Sequence, residues 1–234
     1  MKKLIYCLLL LFISMFAATH GEKSVTYITT PLDSAEGKAM FLQSEYRDAY
    51  WPLSQYYLMQ NRRLCGPASA AMVLNALKIP RPLLWEGSNL FTQDNFFSDA
   101  IPTPINKEVV AKVGMSLEEL SKALESWGVV IKTVYANELT DHSFRELLKE
   151  YLAQTDRFII SNFIREALDQ SGGGHFSPIA AYDQKSDTVL ILDVNQAKYA
   201  ATWVQLPRLL LAMQAATPSG LPRGLILAQR NFSE

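Results

Sequence analysis

The chemistry of this chain centres on one thiol, Cys65, which opens the stretch CGPASAAMVLNAL. The composition and apolar spacing of that stretch predict a helix from Cys65 to Leu77, with Pro67 tolerated in the first turn. A thiol at a helix start meets unpaired backbone N–H groups and the positive end of the helix dipole, which favour the nucleophilic thiolate. The alternative is a small packed side chain, and the cysteine alone does not decide between the two.

A histidine and a carboxylate are predicted to face each other across a hairpin. His175 follows three consecutive glycines and opens an apolar segment, and Asp193 lies near the end of the next one. The two strands are predicted at Phe176–Tyr182 and Thr188–Val194. A turn at 184–186 sets His175 opposite Asp193 to within one residue of register. The carboxylate would orient the imidazole as a base for the thiol, although a cross-strand hydrogen bond without a catalytic role explains the same pattern.

The first 21 residues have the layout of a secretory signal. Lys2 and Lys3 precede an apolar run, Leu4–Ala18, that is short for a membrane span, and a small polar exit follows. We therefore expect an exported protein, periplasmic or secreted, and the alternative is a retained N-terminal anchor. Of the two cysteines, Cys7 lies in this segment, so Cys65 is left without a partner for an internal disulfide.

Composition narrows the remaining choices. The formal net charge is −1 and no basic block occurs, which argues against a nucleic-acid partner. Three scattered histidines and one remaining cysteine give no metal-ligand spacing, so no metal site is expected. Residues 22–234 suffice for one substantial core, which predicts a single catalytic domain.

The other predicted elements begin with helices and continue with strands. Helices are expected at Leu117–Trp127, Ser143–Gln154 and Leu206–Gln214. Strands are expected at Val25–Thr29, Val129–Tyr135, Phe158–Phe163 and Gly224–Gln229. Ser116 and Glu119 are predicted to cap the first of these helices. Early helices followed by strands, two of which form a hairpin, predict the α+β class.

Several longer blocks extend the pattern beyond single residues. They are CGPASAAMVLNAL at 65–77, FTQDNFFS at 91–98, GGGHFSPIAAYD at 172–183, LILDVNQAKYAATWV at 190–204 and Arg223-Gly224. On these blocks the chain resembles the catalytic domain of phytochelatin synthases, in particular the short bacterial phytochelatin synthase-like proteins. The cysteine-glycine helix start is weakly specific, whereas the other long blocks together are highly specific.

The resemblance implies a papain-like fold, in which the helix start that carries the nucleophile packs on an antiparallel sheet. Family members attack the Cys–Gly peptide bond of glutathione, release glycine and hold a γ-Glu-Cys acyl group, which water or a second glutathione removes. By matching position, Cys65 is the nucleophile, His175 the general base and acid, and Asp193 its orienting partner. Gln60 corresponds to the oxyanion glutamine, with a spacing to Cys65 one residue shorter than in close relatives.

The resemblance also implies a substrate pocket. Arg223 matches an arginine that receives the carboxylate of the γ-glutamyl group, a task that suits a guanidinium. Gly174, Asn162 and Arg165 are further pocket candidates. Relatives often place an aspartate shortly before that arginine to hold the substrate amino group, whereas residues 216–218 contain no acid here.

No built-in cofactor is implied, and heavy metal ions such as cadmium would enter as thiolate complexes of the substrate. The missing acid, the lack of a second cysteine and the lack of a cysteine-rich C-terminal extension favour hydrolysis of glutathione over the building of longer chains. A homodimer is left open.

Two other functions also remain open at this point. A leader-cleaving cysteine peptidase would share Gln60 and the CGPA helix start, but not FTQDNFF or HFSPIAAYD. A non-catalytic exported thiol- or metal-binding protein belongs to a different class. A single cysteine suits it poorly, because soft metals prefer two or more thiolates.

Overall fold

The computed structural model describes residues 29–61, 63–81, 89–97 and 105–231. The predicted signal sequence and most of the predicted strand Val25–Thr29 lie outside the described residues. Within these residues the chain folds as α+β, as predicted, with helices packed on an antiparallel sheet. No helix among them has the length and apolar character needed to cross a bilayer.

The described residues form helices, strands and two short 3-10 turns. The helices are α1 (Ala35–Gln43), α2 (Tyr50–Ser54), α3 (Cys65–Ala76), α4 (Lys107–Val113), α5 (Leu117–Ser126), α6 (Asp141–Leu152) and α7 (Leu206–Gln214). The strands are β1 (Thr29–Pro31), β2 (Val129–Tyr135), β3 (Arg157–Ile164), β4 (Gly174–Asp183), β5 (Thr188–Ile191), β6 (Thr202–Gln205) and β7 (Gly224–Arg230). The 3-10 turns are Ala136–Glu138 and Arg165–Leu168.

The strands form one sheet in the order β1-β6-β5-β4-β3-β7-β2, with every neighbouring pair antiparallel. The register sets Phe163 opposite His175, and Asn162 opposite both Phe176 and Gly224. The end of β3 and the starts of β4 and β7 therefore meet at one end of the sheet. This arrangement brings together Asn162, His175 and Gly224, which are distant in sequence.

The helix that carries Cys65 packs directly on the sheet. α3 contacts β4, and all of its residues from Gly66 to Ala76 are buried. Gly66 permits close packing next to the thiol, because a Cβ at this position would lie 2.6 Å from Met115 Sδ. The predicted helix is confirmed and ends one residue earlier than Leu77.

Other predicted elements occur with shifts at their ends. α5 begins with the predicted capping box of Ser116 and Glu119, and β2 and α7 have their predicted bounds. α6 begins at Asp141 instead of Ser143, because the side chain of Thr140 accepts the Ser143 N–H and caps the helix. The short elements α1, α2, α4 and β6 were not predicted.

The hairpin of β4 and β5 differs from its predicted form. Asp183 pairs with Thr188, so the turn comprises residues 184–187 and the register near it is shifted from the predicted one. A β-bulge in β4 shifts the pairing again. β5 ends at Ile191, so the strand predicted to reach Val194 is wrong at its end. Asp193 therefore approaches His175 from the segment after the strand, where local sequence preferences do not fix the backbone.

Close packing at the start of β7 gives a first test. A Cβ at Gly224 would lie 2.1 Å from the carbonyl oxygen of Val134, which belongs to the neighbouring strand backbone. We expect Gly224→Ala to lower the free energy of unfolding by about 2–3 kcal/mol, measured by chemical denaturation. Gly173→Ala is the matched control, since a Cβ there would meet no atom within 4 Å, and it should be close to neutral. Equal stability of the two variants would contradict the packing described.

Candidate active site

Cys65 is the first residue of α3 and lies half-buried against the core. Burial by itself raises the pKa of the thiol. The hydrogen bond and charge of His175, with the backbone N–H groups of Phe176 and Gly66, outweigh burial and lower that pKa below its ordinary value. The environment therefore favours the thiolate.

His175, the second residue of β4, is the buried partner of the thiol. Its Nε2 lies 2.9 Å from Oδ1 of Asp193, which leaves Nδ1 for Cys65. Burial lowers the pKa of His175, but the hydrogen bonds to Asp193 and Cys65 raise it by more, and the net shift is upward. The contact between the two side chains thus lowers the pKa of Cys65 and raises that of His175, so each side chain favours the charged form of the other.

Asp193 holds the histidine from a position that is only 1% exposed. Its Oδ1 accepts three hydrogen bonds, from His175 Nε2 at 2.9 Å, from Arg165 Nη2 at 2.8 Å and from the Asn195 N–H at 2.8 Å. Burial raises the pKa of Asp193, but His175 and Arg165 outweigh it and lower the pKa to about 2. The carboxylate is therefore ionised at neutral pH.

Ser177 belongs to the site, although the sequence analysis did not single it out. Its Oγ lies 2.9 Å from His175 Nε2 and accepts the backbone N–H of Val194 at 3.3 Å. Residues two apart on a strand share a face, so this contact follows from the position of His175 once the strand is fixed. Ser177 ties the imidazole to the backbone beside Asp193.

The segment that precedes α3 is fastened to the same region. The Tyr57 hydroxyl donates to the carbonyl oxygen of Asp193 at 2.7 Å, and the Gln60 N–H donates to the carbonyl oxygen of Val194 at 2.7 Å. The backbone of Gln60 is thereby fixed next to Asp193 and Val194. The role of the Gln60 side chain as an oxyanion donor stays a prediction.

Gln93, from the FTQDNFFS block, braces the chain on both sides of Gln60. Its Oε1 accepts the Asn61 N–H at 2.6 Å, and its Nε2 donates to the carbonyl oxygen of Met59 at 3.2 Å. These contacts join segments 32 and 34 residues apart, so no local signal in the sequence could reveal them. They give part of this block a structural role.

Arg223, Gly174 and Asn162 lie where β7, β4 and β3 meet. The Nη1 of Arg223 donates to the carbonyl oxygen of Ala215 at 2.8 Å. A Cβ on Gly174 would lie 3.2 Å from Arg223 Nη2, so the glycine leaves room for the guanidinium. Asn162 Nδ2 donates to the carbonyl oxygen of His175 at 3.1 Å and fixes the backbone of the histidine.

Arg223 is a buried cation, 3% exposed, that no acidic side chain of the described residues meets in an ion pair. Burial lowers the pKa of Arg223, and the charge of the exposed Glu166 offsets this only in part. A guanidinium nevertheless stays protonated at neutral pH. Arg223 is therefore suited to bind an anionic group at this end of the sheet.

Arg165, a pocket candidate on the resemblance, is placed by the structure against Asp193. It is 3% exposed, and its Nη1 donates to Gln170 Oε1 at 2.5 Å. Its guanidinium lies 4.4 Å from the ring centre of Tyr199. Protein groups therefore engage the guanidinium on several sides.

Together these residues define a class of protein. A thiol of lowered pKa at a helix start, a histidine of raised pKa in contact with it and a buried carboxylate on the histidine make a cysteine enzyme with a Cys–His–Asp site. Within the part of the chain that the structure describes, no cluster of three or more His, Cys, Asp or Glu side chains is placed to hold a metal ion.

The family follows from comparison with known sequences. The family model described as Phytochelatin synthase matches residues 21–225. The chain therefore belongs to the phytochelatin synthase family, and the resemblance inferred from its sequence blocks is confirmed.

Curated relatives share the match over most of this chain. Glutathione gamma-glutamylcysteinyltransferase 2 of Arabidopsis thaliana is 32% identical over 225 residues, covering 94% of this chain and 49% of that protein. Glutathione gamma-glutamylcysteinyltransferase of Schizosaccharomyces pombe is 31% identical over 202 residues, covering 84% of this chain and 48% of that protein. Glutathione gamma-glutamylcysteinyltransferase 1 of Triticum aestivum is 33% identical, covering 86% and 40%. The chain thus spans half or less of the length of these relatives.

Among solved structures, the chain matches the interpain A cysteine protease of Prevotella intermedia. The sequence identity is 10% and the TM-score is 0.37, over 80% of this chain and 96% of that one. The papain-like prediction is supported by the site, where α3 places its thiol against a sheet that carries His175.

The pKa shifts predict how Cys65 reacts with a small neutral alkylating reagent. Because the pKa of Cys65 is lowered, iodoacetamide should modify it at about pH 6, where an ordinary thiol with a pKa of about 8.5 is slow. His175→Ala removes the largest stabilisation of the thiolate, so the rate at this pH should fall at least about tenfold. Peptide mass mapping separates Cys65 from Cys7.

The exposed His142 of α6 provides the control for this experiment. His142→Ala should leave the dependence of the alkylation rate on pH unchanged. If His175→Ala gave the same pH–rate curve as the unaltered protein, the thiolate–imidazolium pair would be ruled out.

Proposed function

We propose that this chain is a thiol acyltransferase and hydrolase that cleaves the Cys–Gly peptide bond of glutathione. The observation that carries the proposal is the Cys65–His175 pair, held by buried Asp193, in a chain of the phytochelatin synthase family. The substrate is suggested by the names of the relatives, which are glutathione gamma-glutamylcysteinyltransferases.

Acylation uses the pair directly. The thiolate of Cys65 attacks the carbonyl carbon of the Cys–Gly bond, and negative charge moves to the carbonyl oxygen. The Cys65 N–H and the Gln60 side chain are assigned as donors to that oxygen. His175 gives its proton to the glycine nitrogen, the C–N bond breaks, glycine leaves, and γ-Glu-Cys remains as a thioester on Cys65.

In deacylation His175 acts as a base, whereas in acylation it acts as an acid. Neutral His175 takes a proton from water, the hydroxide adds to the thioester carbonyl, and the C–S bond breaks to release γ-Glu-Cys. Water is the main acceptor in this proposal, because Cys65 is the one free thiol among the described residues and can hold one acyl group. Transfer to a second glutathione, giving short phytochelatins, is the lesser route.

Arg223 is assigned to the carboxylate of the γ-glutamyl group. Its guanidinium is buried, and its Nε has no hydrogen-bond partner among the described residues. Gly174 leaves space beside this guanidinium, and Asn162 contributes by fixing the His175 backbone. Binding of a carboxylate would neutralise a cation that the fold buries without an ion pair.

The wider setting rests on less specific observations. The basic and apolar N-terminal segment supports export, so the substrate would be met outside the cytoplasm. Family membership supports a role in metal detoxification, with ions such as cadmium entering as thiolate complexes of glutathione. A homodimer remains an open alternative to a monomer.

Incubation with glutathione, with and without cadmium, tests the reaction. Mass spectrometry of products should give free glycine and γ-Glu-Cys, and intact mass should show a γ-Glu-Cys adduct on Cys65. Cys65→Ala and His175→Ala should each lower the rate of glycine release by about 10³-fold or more, since the nucleophile and its base act as a unit.

Parallel assays separate the alternatives. A double-glycine leader peptide cleaved in preference to glutathione would identify a peptidase. Tight binding of cadmium without glutathione, together with no cleavage of either substrate, would identify a metal-binding protein. Full glycine release by Cys65→Ala would refute the proposed nucleophile.

Arg223→Met tests the assignment of the carboxylate site. A charge-assisted hydrogen bond to a carboxylate contributes about 1.5–3 kcal/mol, so the KM for glutathione should rise by roughly 10- to 100-fold. Alkylation of Cys65 by neutral iodoacetamide should stay unchanged, because the thiol and its histidine are intact. Arg208→Met, at an arginine with only a 3.8 Å contact to Asp169, is the matched control and should keep the KM. A KM that stays constant in Arg223→Met would remove this residue from the pocket.

A further inference from the structure

Arg165 is a buried cation, 3% exposed, whose guanidinium contacts the carboxylate that holds His175. Its Nη2 donates to Asp193 Oδ1 at 2.8 Å, the same oxygen that accepts His175 Nε2. Its Nη1 is held by Gln170 Oε1 at 2.5 Å, and the ring of Tyr199 covers the guanidinium at 4.4 Å from the ring centre. The guanidinium is therefore fixed at both ends and on one face.

The glycine loop before β4 closes over the same side chain. A Cβ at Gly172, whose φ is +130°, would lie 2.9 Å from Cδ of Arg165. The backbone N–H of Arg165 donates to the carbonyl oxygen of Gly173 at 3.2 Å. The Tyr199 hydroxyl donates to the carbonyl oxygen of Ser171 at 2.9 Å, so the loop and the segment after β5 enclose the arginine from two sides.

Charge balance explains why a cation is needed here. Asp193 is buried and ionised, and a buried carboxylate is costly unless a cation and hydrogen bonds compensate it. When Cys65 and His175 are both charged, the imidazolium is matched by the thiolate in contact with it. Arg165 is the remaining cation that balances the charge of Asp193.

We infer that Arg165 is a positioning residue that acts through Asp193, holding its carboxylate on His175, and that it does not touch the substrate. The paired charges are then one unit. Removing either charge alone leaves the other buried and uncompensated. Removing both restores a neutral site, in which the amide oxygen that Asp193→Asn introduces can still accept the hydrogen bond from His175.

Four proteins test this inference: the unaltered chain, Arg165→Met, Asp193→Asn and the double variant. Each single substitution should lower the melting temperature by roughly 10 °C, and the double variant should melt above either single one. The rate of Cys65 alkylation by iodoacetamide at about pH 6 should fall roughly tenfold in Arg165→Met. In the double variant it should be no lower than in Asp193→Asn.

Turnover gives a separate readout, which alone rests on the proposed function. In Arg165→Met the kcat for glycine release should fall with alkylation, while the KM for glutathione stays within about twofold. Arg165→Lys keeps the charge and should recover part of both rates. Arg145→Met is the matched control: it removes a two-point ion pair to Asp187 at the far end of β4, and it should leave alkylation unchanged.

Several results would overturn the inference. A higher KM in Arg165→Met with normal alkylation would make Arg165 a substrate-binding residue. If the fold-reductions in the Cys65 alkylation rate of the two single variants multiplied in the double variant, the two residues would act independently. If Arg165→Met does not fold, the double variant decides, since its failure to fold would also overturn coupling through Asp193. Absence of glycine release by the unaltered chain would refute glutathione as the substrate, and the alkylation and melting results would still decide the role of Arg165.

Discussion

The burial of one carboxylate, that of Asp193, is the constraint on which the site depends. Taking a carboxylate out of water costs on the order of several kcal/mol, which only cations and hydrogen bonds in fixed positions offset. Its Oδ1 meets that need with His175, Arg165 and the Asn195 N–H. Tyr57 binds its backbone oxygen as well, so the segment before α3, the turn after β3 and the segment after β5 converge on one residue. The position of the His175 imidazole therefore depends on the contacts that compensate the buried charge of Asp193.

Cys65, the proposed nucleophile, is placed beside His175 by helix packing. α3 is buried along almost its whole length because it lies between β4 and the helices α2 and α5, and its first residue is Cys65. The thiol and the histidine thus belong to two rigid elements that contact each other, which is how a fixed short approach is maintained. Met115 packs against Gly66, the residue that follows Cys65, so the position of the helix start is determined by the core.

Sequence patterns predicted the elements with strong periodicity and the residues with unusual chemistry. The apolar spacing in the sequence predicts the helix at Cys65 and the strand at His175. A single thiol left in a predicted exported chain is a candidate nucleophile. The end of β5 was mispredicted because the turn and a bulge set the register, and both depend on tertiary contacts. Gln93 was missed because the residue that it binds, Asn61, is 32 positions away in the sequence. Ser177 was missed because its contact with His175 depends on the strand that places both side chains on one face.

The two buried arginines show why burial alone does not assign a role. Arg165 and Arg223 are both 3% exposed, and both lie near the end of the sheet where β3 and β4 meet. Arg165 meets a protein carboxylate, so its charge is already compensated and its removal should act through Asp193. Arg223 meets the carbonyl oxygen of Ala215 and no acidic partner among the described residues, so an external anion would complete its contacts. The same cost of burying a cation is therefore met by a protein carboxylate at Arg165, whereas at Arg223 it leaves a guanidinium suited to bind an external anion.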